Sequence, residues 1–400
     1  MPTLAARTQI MPASPIRKLA PYAAKAREKG LHIFQLNIGQ PDLVTPPAFL
    51  KAIEEANIHT LAYAPSEGYR SYRDKLAAYY NRSFEMKVAA DDIMITTGGS
   101  EALLFAFLAC FNPGEEIIVP EPLYANYLGF AAEMDCVITP LPTSLDDNFN
   151  LPAPEAFEAV ITPRTRGILI CNPANPTGKL YAESDLHKLR DIVKEHDLYL
   201  LSDEVYKEFV YEGATFRSVL TLEGIEENTI VVDSVSKRWS ACGARIGNLI
   251  TRNRELYAAA LRFAQARLSP PTLGQVGAEA LTELPESYYQ EVLKEYRSRR
   301  DLVVDRLNAM PGVTCQRSLG AFYVLPRLPI DDCENFCQWL LESFEHKGST
   351  VMLAPGSGFY RTPGAGKDEV RLAYVLQREE LTRAMDALEA ALQAYPGRTV

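Results

Sequence analysis

The chain has 400 residues, 23% of them charged and 47% hydrophobic, with 51 Asp and Glu against 41 Lys and Arg for a formal net charge of −10. That composition is globular, the length exceeds what a single growing core accommodates, and the acidic balance argues against the basic stripe of a nucleic-acid binder. Seven scattered cysteines with no CxxC pair point to reduced thiols and a cytoplasmic protein. Residues 1–12 lack the pattern of a secretory signal, and the apolar run at 102–111 is about half of a membrane span.

Taken in order, residues 1–30 form a Pro- and Ala-rich arm with a helix-like stretch at 16–29. Helical spacing recurs at 47–56 and 69–81, separated by a loop that displays Tyr63. From residue 92 short apolar runs alternate with amphipathic ones. Strands are expected at 93–97, 117–120, 167–171, 198–202, 230–233 and 248–251, with helices at 102–111, 182–196 and 254–266 between several of them. This is the pattern of βαβ units and a mostly parallel sheet buried on both faces. A long helix at 286–310 ends at Pro311-Gly312; strands at 321–325, 351–353 and 369–373 and helices at 333–347 and 378–393 follow as an α+β tail.

Several strand ends carry residues suited to one ligand. Lys237 follows the strand at 230–233 between Ser234 and Ser236, and Arg245 lies among small residues just beyond. The serine hydroxyls and the guanidinium fork suit a phosphate. Asp203 ends the strand at 198–202, where a buried carboxylate needs a cationic partner, and Tyr206 lies one turn on. The turn Asn172–Gly178 offers Asn175, and the Gly98-Gly99 turn, followed by Ser100 and Glu101, opens a helix whose amides suit an anion. It lacks the Lys-Ser/Thr ending of a P-loop and the spacing of a dinucleotide fingerprint. Tyr124 could stack on a ring, and Arg371, inside an apolar strand, needs an anion such as a substrate α-carboxylate.

These are the parts that pyridoxal 5′-phosphate (PLP) requires: a lysine for the imine, donors for the phosphate, a carboxylate for the pyridine nitrogen and a donor for the phenolic oxygen. The order and spacing of residues 36–42, 98–103, 172–178, 202–206, 234–247 and 370–374 resemble the fold-type I PLP-dependent enzymes, specifically the aspartate-aminotransferase-like class I/II aminotransferases. The resemblance implies an α/β fold: a large doubly wound, mostly parallel domain (residues 46–285) and a smaller α+β domain (1–45 and 286–400).

It also implies roles. Lys237 would be the Schiff-base lysine and general acid/base; Asp203 would pair with the pyridine nitrogen; Tyr206 and Asn175 would hold the phenolic oxygen. Gly99, Ser100, Glu101, Ser234, Ser236 and Arg245 would surround the phosphate, with Tyr124 stacked on the ring. Gly39, Asn175 and Arg371 would bind substrate. Tyr63 would reach the partner subunit's phosphate, which implies a homodimer with shared sites. No metal is expected. The activity implied is ping-pong transfer of an amino group between an L-amino acid, aspartate being one candidate, and a 2-oxo acid. Elimination, replacement or cyclisation on the same scaffold stays open. An acidic substrate would need a second cation, for which Arg17, Arg238 and Arg267 are candidates; Trp239 beside the lysine either shapes the entrance or packs.

Overall fold

The computed structural model describes residues 2–5, 7–211 and 213–400. Twelve strands occur among them: β1 His32–Gln35, β2 Ile93–Thr96, β3 Glu116–Glu121, β4 Val137–Pro142, β5 Thr165–Cys171, β6 Tyr199–Asp203, β7 Thr229–Ser234, β8 Gly247–Ile250, β9 Tyr323–Val324, β10 Ser349–Met352, β11 Ala354–Pro355 and β12 Val370–Ala373. Seven form one sheet in the order β2-β8-β7-β6-β5-β3-β4. Only β8 runs against the others, pairing antiparallel with both β2 and β7.

Strand periodicity explains why the apolar runs are continuous. Leu169, Leu201, Ile230 and Val232 face one core with the helices Gly99–Cys110 and Arg254–Arg267. Ile168, Ile170, Leu200 and Val231 face another with Arg70–Phe84, Glu183–His196 and Thr272–Leu281. Successive side chains point to opposite faces, so a sheet covered on both sides must be apolar at every position.

The remaining strands are short. β1 pairs in parallel with β10, tying the N-terminal segment to the C-terminal third. β9, β11 and β12 form a small antiparallel sheet. The helices Cys333–Glu342 and Arg378–Ala394 pack there, their Leu340 and Leu388 joining the same core as Leu169 and Leu201.

Three expectations differ from the structure. The segment after Asp203 is a run of turns rather than a helix, so Tyr206 is placed by a turn. The helix from Cys333 stops at Glu342, because the chain must reverse into β10 through Lys347 and Gly348, both at positive φ. Strand β4 has no counterpart in the sequence reading; it is an edge strand carrying Pro140 and Pro142, residues that mask a strand pattern and are tolerated at an edge.

Candidate active site

The parallel strands end along one rim, and the loops leaving β2, β3, β5, β6 and β7 enclose a cavity of about 690 Å³ with β12 and the N-terminal arm. Such a rim is where open α/β sheets bind ligands. Gly39, Gly99, Ser100, Tyr124, Asn175, Asp203, Tyr206, Ser234, Ser236, Lys237, Arg245 and Arg371 all line it.

Lys237 stands on the short helix Val235–Arg238 directly after β7, half-buried, its Nζ donating to the Gly39 carbonyl at 2.7 Å. Gly39 has no room for a side chain: a Cβ would lie 1.7 Å from the Tyr323 hydroxyl. Asp203, the last residue of β6, is buried and accepts from Tyr127 Oη at 2.9 Å. Burial pushes its carboxyl up to about 6, the Tyr127 donor working against that rise. Beside it the Tyr206 hydroxyl lies 2.9 Å from that of Tyr323.

The phosphate-suited groups converge as a second cluster. Gly98, at φ 79°, precedes the helix Gly99–Cys110, and a Cβ there would stand 2.4 Å from Arg245 Nη2. Only glycine combines that backbone with so close a guanidinium. Arg245 is itself in the left-handed region, its Nη1 donating to the Cys242 carbonyl at 3.1 Å, and no carboxylate pairs with it among the described residues. Ser234 Oγ lies 2.8 Å from Ser236 Oγ. Tyr124 is held by Asn126 Nδ2 at 2.9 Å and packs edge-on against Tyr127.

Arg371, on β12, is buried, and burial holds its proton affinity below the usual guanidinium value. Its Nη1 donates to Asn175 Oδ1 at 3.0 Å and its Nη2 to the Asn37 carbonyl, while Nε has no partner. The rings of Tyr323 and Phe359 flank it at 4.7 and 4.9 Å. No carboxylate among the described residues pairs with it. A guanidinium this deep is costly without an anion.

Two predicted residues lie elsewhere in this chain. The Glu101 carboxylate turns from the cavity to accept from the Thr97 amide at 2.7 Å and to pair with Arg267 at 3.1 Å. Tyr63 is 79% exposed on its loop and does not line the cavity. Of the three candidate cations, Arg267 is engaged by Glu101, and Arg238 is buried against Asp233 and Glu208. Arg17 alone of the three lines the cavity, exposed and without a carboxylate partner among the described residues. Trp239 packs: it is fully buried, its Nε1 donating to Tyr289 Oη at 3.1 Å. Sequence reasoning missed Tyr127, Tyr323 and the Asn37 carbonyl. A tyrosine inside an apolar run reads as core, and a carbonyl carries no side-chain signal.

The donor set fits PLP without forcing. A buried acid faces the cavity near a half-buried lysine, anion donors cluster at a helix N-terminus, and a second, separate cation waits for a carboxylate. Fold and cavity together define a fold-type I PLP-dependent enzyme.

Comparison places it further. The family model for aminotransferase class I and II matches residues 32–388, and the chain belongs to that family. It is 31% identical to the aspartate aminotransferase of Pyrococcus horikoshii, over 98% of this chain and 97% of that one. It is 34% identical to a probable aspartate/prephenate aminotransferase of Thermus aquaticus over 93% and 94% of the two chains. It is 32% identical to aromatic-amino-acid aminotransferase 2 of Thermococcus litoralis, over 98% of both. The solved aspartate aminotransferase of Thermus thermophilus with maleate superposes with a TM-score of 0.88 at 30% identity, over 98% of this chain and all of the other. The chain is therefore a PLP-dependent aminotransferase, and nothing in these relatives favours elimination or cyclisation.

Proposed function

We propose that this enzyme exchanges amino groups between a dicarboxylic L-amino acid and a 2-oxo acid, with Lys237 as its acid/base. The observation that carries the amino-acid part of the reading is Arg371, a buried guanidinium open to the cavity with no carboxylate partner among the described residues. A planar fork of this kind suits an α-carboxylate. With Asn175 on Nη1 and the Asn37 carbonyl on Nη2, its plane is set before substrate arrives.

PLP, when bound, supplies the sink for the electron pair left at the substrate α-carbon. The chain's residues do the rest. Ser234, Ser236, Arg245 and the amides of Gly99, Ser100 and Glu101 bind the phosphate. Asp203 would hold the proton on the pyridine nitrogen, Asn175 and Tyr206 would hold the phenolic oxygen, and Tyr124 would cover the ring. Lys237 would hold the cofactor and, as a free amine, would carry the α-proton across the amino nitrogen to the cofactor carbon beyond it. A second oxo acid then takes the amino group by the reverse path.

The second carboxylate of the substrate is assigned to Arg17. Arg245 and Arg371 are given to phosphate and α-carboxylate, Lys237 to the cofactor, and Arg17 is the cavity cation left over. The Thermus thermophilus relative solved with maleate, a dicarboxylate, supports a dicarboxylic substrate. We further propose a homodimer in which Tyr63 serves the partner's phosphate, a division into residues 46–285 and the remainder, and a cytoplasmic location. No helix among the described residues is long and apolar enough to cross a membrane.

A screen of amino donors against 2-oxoglutarate tests the whole. Transfer with wild type, and loss of both transfer and the visible lysine-bound band in Lys237→Ala, is the expected result; a variant that keeps both refutes the assignment. Arg17→Met should lower kcat/KM for aspartate and glutamate by on the order of 10- to 100-fold, the worth of a charged hydrogen bond, and leave alanine unaffected. An equal loss for all donors would remove Arg17 from specificity.

A further inference from the structure

Behind Lys237, on the side away from the cavity, lies a block of four charged side chains. Arg238 and Lys207 are fully buried, as is Asp233, and Glu208 is nearly so. Asp233 Oδ2 takes Arg238 Nη1 and Lys207 Nζ, each at 2.5 Å, and also the Tyr80 hydroxyl. Glu208 Oε1 takes Arg238 Nη1 at 2.9 Å and Tyr79 Oη at 2.8 Å, with Lys207 Nζ at 3.5 Å. Two cations meet two anions, so the block is balanced.

Its placement is what suggests a role. Asp233 immediately precedes Ser234, Arg238 immediately follows Lys237, and Lys207 immediately follows Tyr206. Each segment that brings a cofactor residue to the rim of β6 or β7 is thus bolted at its back to this block. Buried ion pairs are a poor source of stability compared with apolar packing, so four charges at this point call for another account.

We propose that Arg238, Lys207, Asp233 and Glu208 act as positioning residues that fix the frame of Lys237, their net charge bearing on the nitrogen that holds the cofactor. The proposal rests on Lys237 being the cofactor lysine. On its other side Lys237 faces Asp203, Tyr124, Tyr206 and Tyr323, with Arg17, Arg245 and Arg371 lining the same cavity; Tyr79 and Tyr80 come from the helix Arg70–Phe84 onto the block. The cavity groups keep their partners when Arg238 or Glu208 is changed, whereas Tyr79 loses its charged acceptor at Glu208 and Tyr80 keeps Asp233. Burial does most to raise the Asp203 carboxyl, and the nearby Asp233 charge adds to it. In so dry a setting one uncompensated charge is felt across the helix that carries the lysine.

The test is a pH titration of the visible band of the lysine-bound cofactor in the holoenzyme. Arg238→Met leaves the block one charge negative, which favours the protonated nitrogen and should raise the midpoint by on the order of one pH unit, a tenfold change. Glu208→Gln leaves it one charge positive and should lower the midpoint comparably. The double variant R238M/E208Q is balanced again and should return toward wild type. Shifts of one sign, or no shift in either variant with cofactor bound, overturn the proposal and leave the block a scaffold. If Arg238→Met does not fold, the downward shift of Glu208→Gln decides alone. Absence of any visible band in wild type would instead overturn the assignment of Lys237.

Discussion

Arg371 shows how much a single side chain can disclose. A cation within the apolar run of β12 implies an anion by its position in the sequence, because the interior repels an unpaired guanidinium. Its two hydrogen-bonded nitrogens give a fixed plane that lysine cannot reproduce. Arg371→Lys should therefore lower kcat/KM by on the order of 10- to 100-fold for every amino donor, monocarboxylic donors included, in steady-state kinetics. Uniform loss distinguishes it from Arg17, whose effect should follow the second carboxylate. Lys237, Asp203 and Asn175 were legible for a similar reason: each follows a buried strand, where polar residues need a purpose. Tyr323 and Tyr127 were not, since nothing in an apolar run separates a tyrosine that only fills space from one whose hydroxyl orients Asp203 or Tyr206.

Among the elements, the strand ends carry the chemistry and their neighbours bear the strain. Glu204, next after Asp203, is buried, its Oε1 accepting from Ser218 Oγ at 3.0 Å and from the Val219 amide at 3.1 Å. Burial pushes its carboxyl up to about 8 from a usual 4.5. A raised carboxyl holds its proton longer in the folded chain than in the unfolded one. Its contribution to stability is whole below about 4.5 and is lost as pH rises through about 8. Glu204→Gln removes this titration while keeping the acceptor. Relative to wild type the variant should gain a few kcal/mol between about pH 5 and 8, at about 1.4 kcal/mol per unit, read from denaturant unfolding at each pH. A constant difference would mean that Glu204 does not titrate in this range.

The central strands, buried on both faces, were readable as apolar runs to within a few residues, and the helices between them by their period. What escaped was whatever lacks a period of its own: the edge strand β4 with its two prolines, and the four-residue β1, which exists because β10 is there to pair with it. The turn that places Tyr206 escaped too, because a turn and the first turn of a helix bring residue i+3 to similar places.

On the scale of the whole molecule, residues 44–63 and Leu268 leave apolar side chains in the open. Val44, Leu50, Leu61, Tyr63 and Leu268 are all more than half exposed. Exposed apolar side chains on the segment that carries Tyr63 are in keeping with the proposed homodimer. If Tyr63 serves the opposite site, mixing Tyr63→Phe chains with inactive Lys237→Ala chains should raise activity per Tyr63→Phe chain above that of the unmixed variant. Each hybrid joins an intact lysine to an intact tyrosine. No gain on mixing, with hybrids shown to form by sedimentation and tag exchange, would confine Tyr63 to a role within its own subunit.

One contact ties these scales together. The amine of Lys237 donates to the carbonyl of Gly39, at a point where Tyr323 leaves no space for any side chain but hydrogen. The resting place of the lysine nitrogen is thus set by a carbonyl from one segment and a tyrosine from another. A side chain at position 39 would displace either the Tyr323 hydroxyl or the carbonyl, so a single hydrogen keeps the lysine nitrogen where it rests.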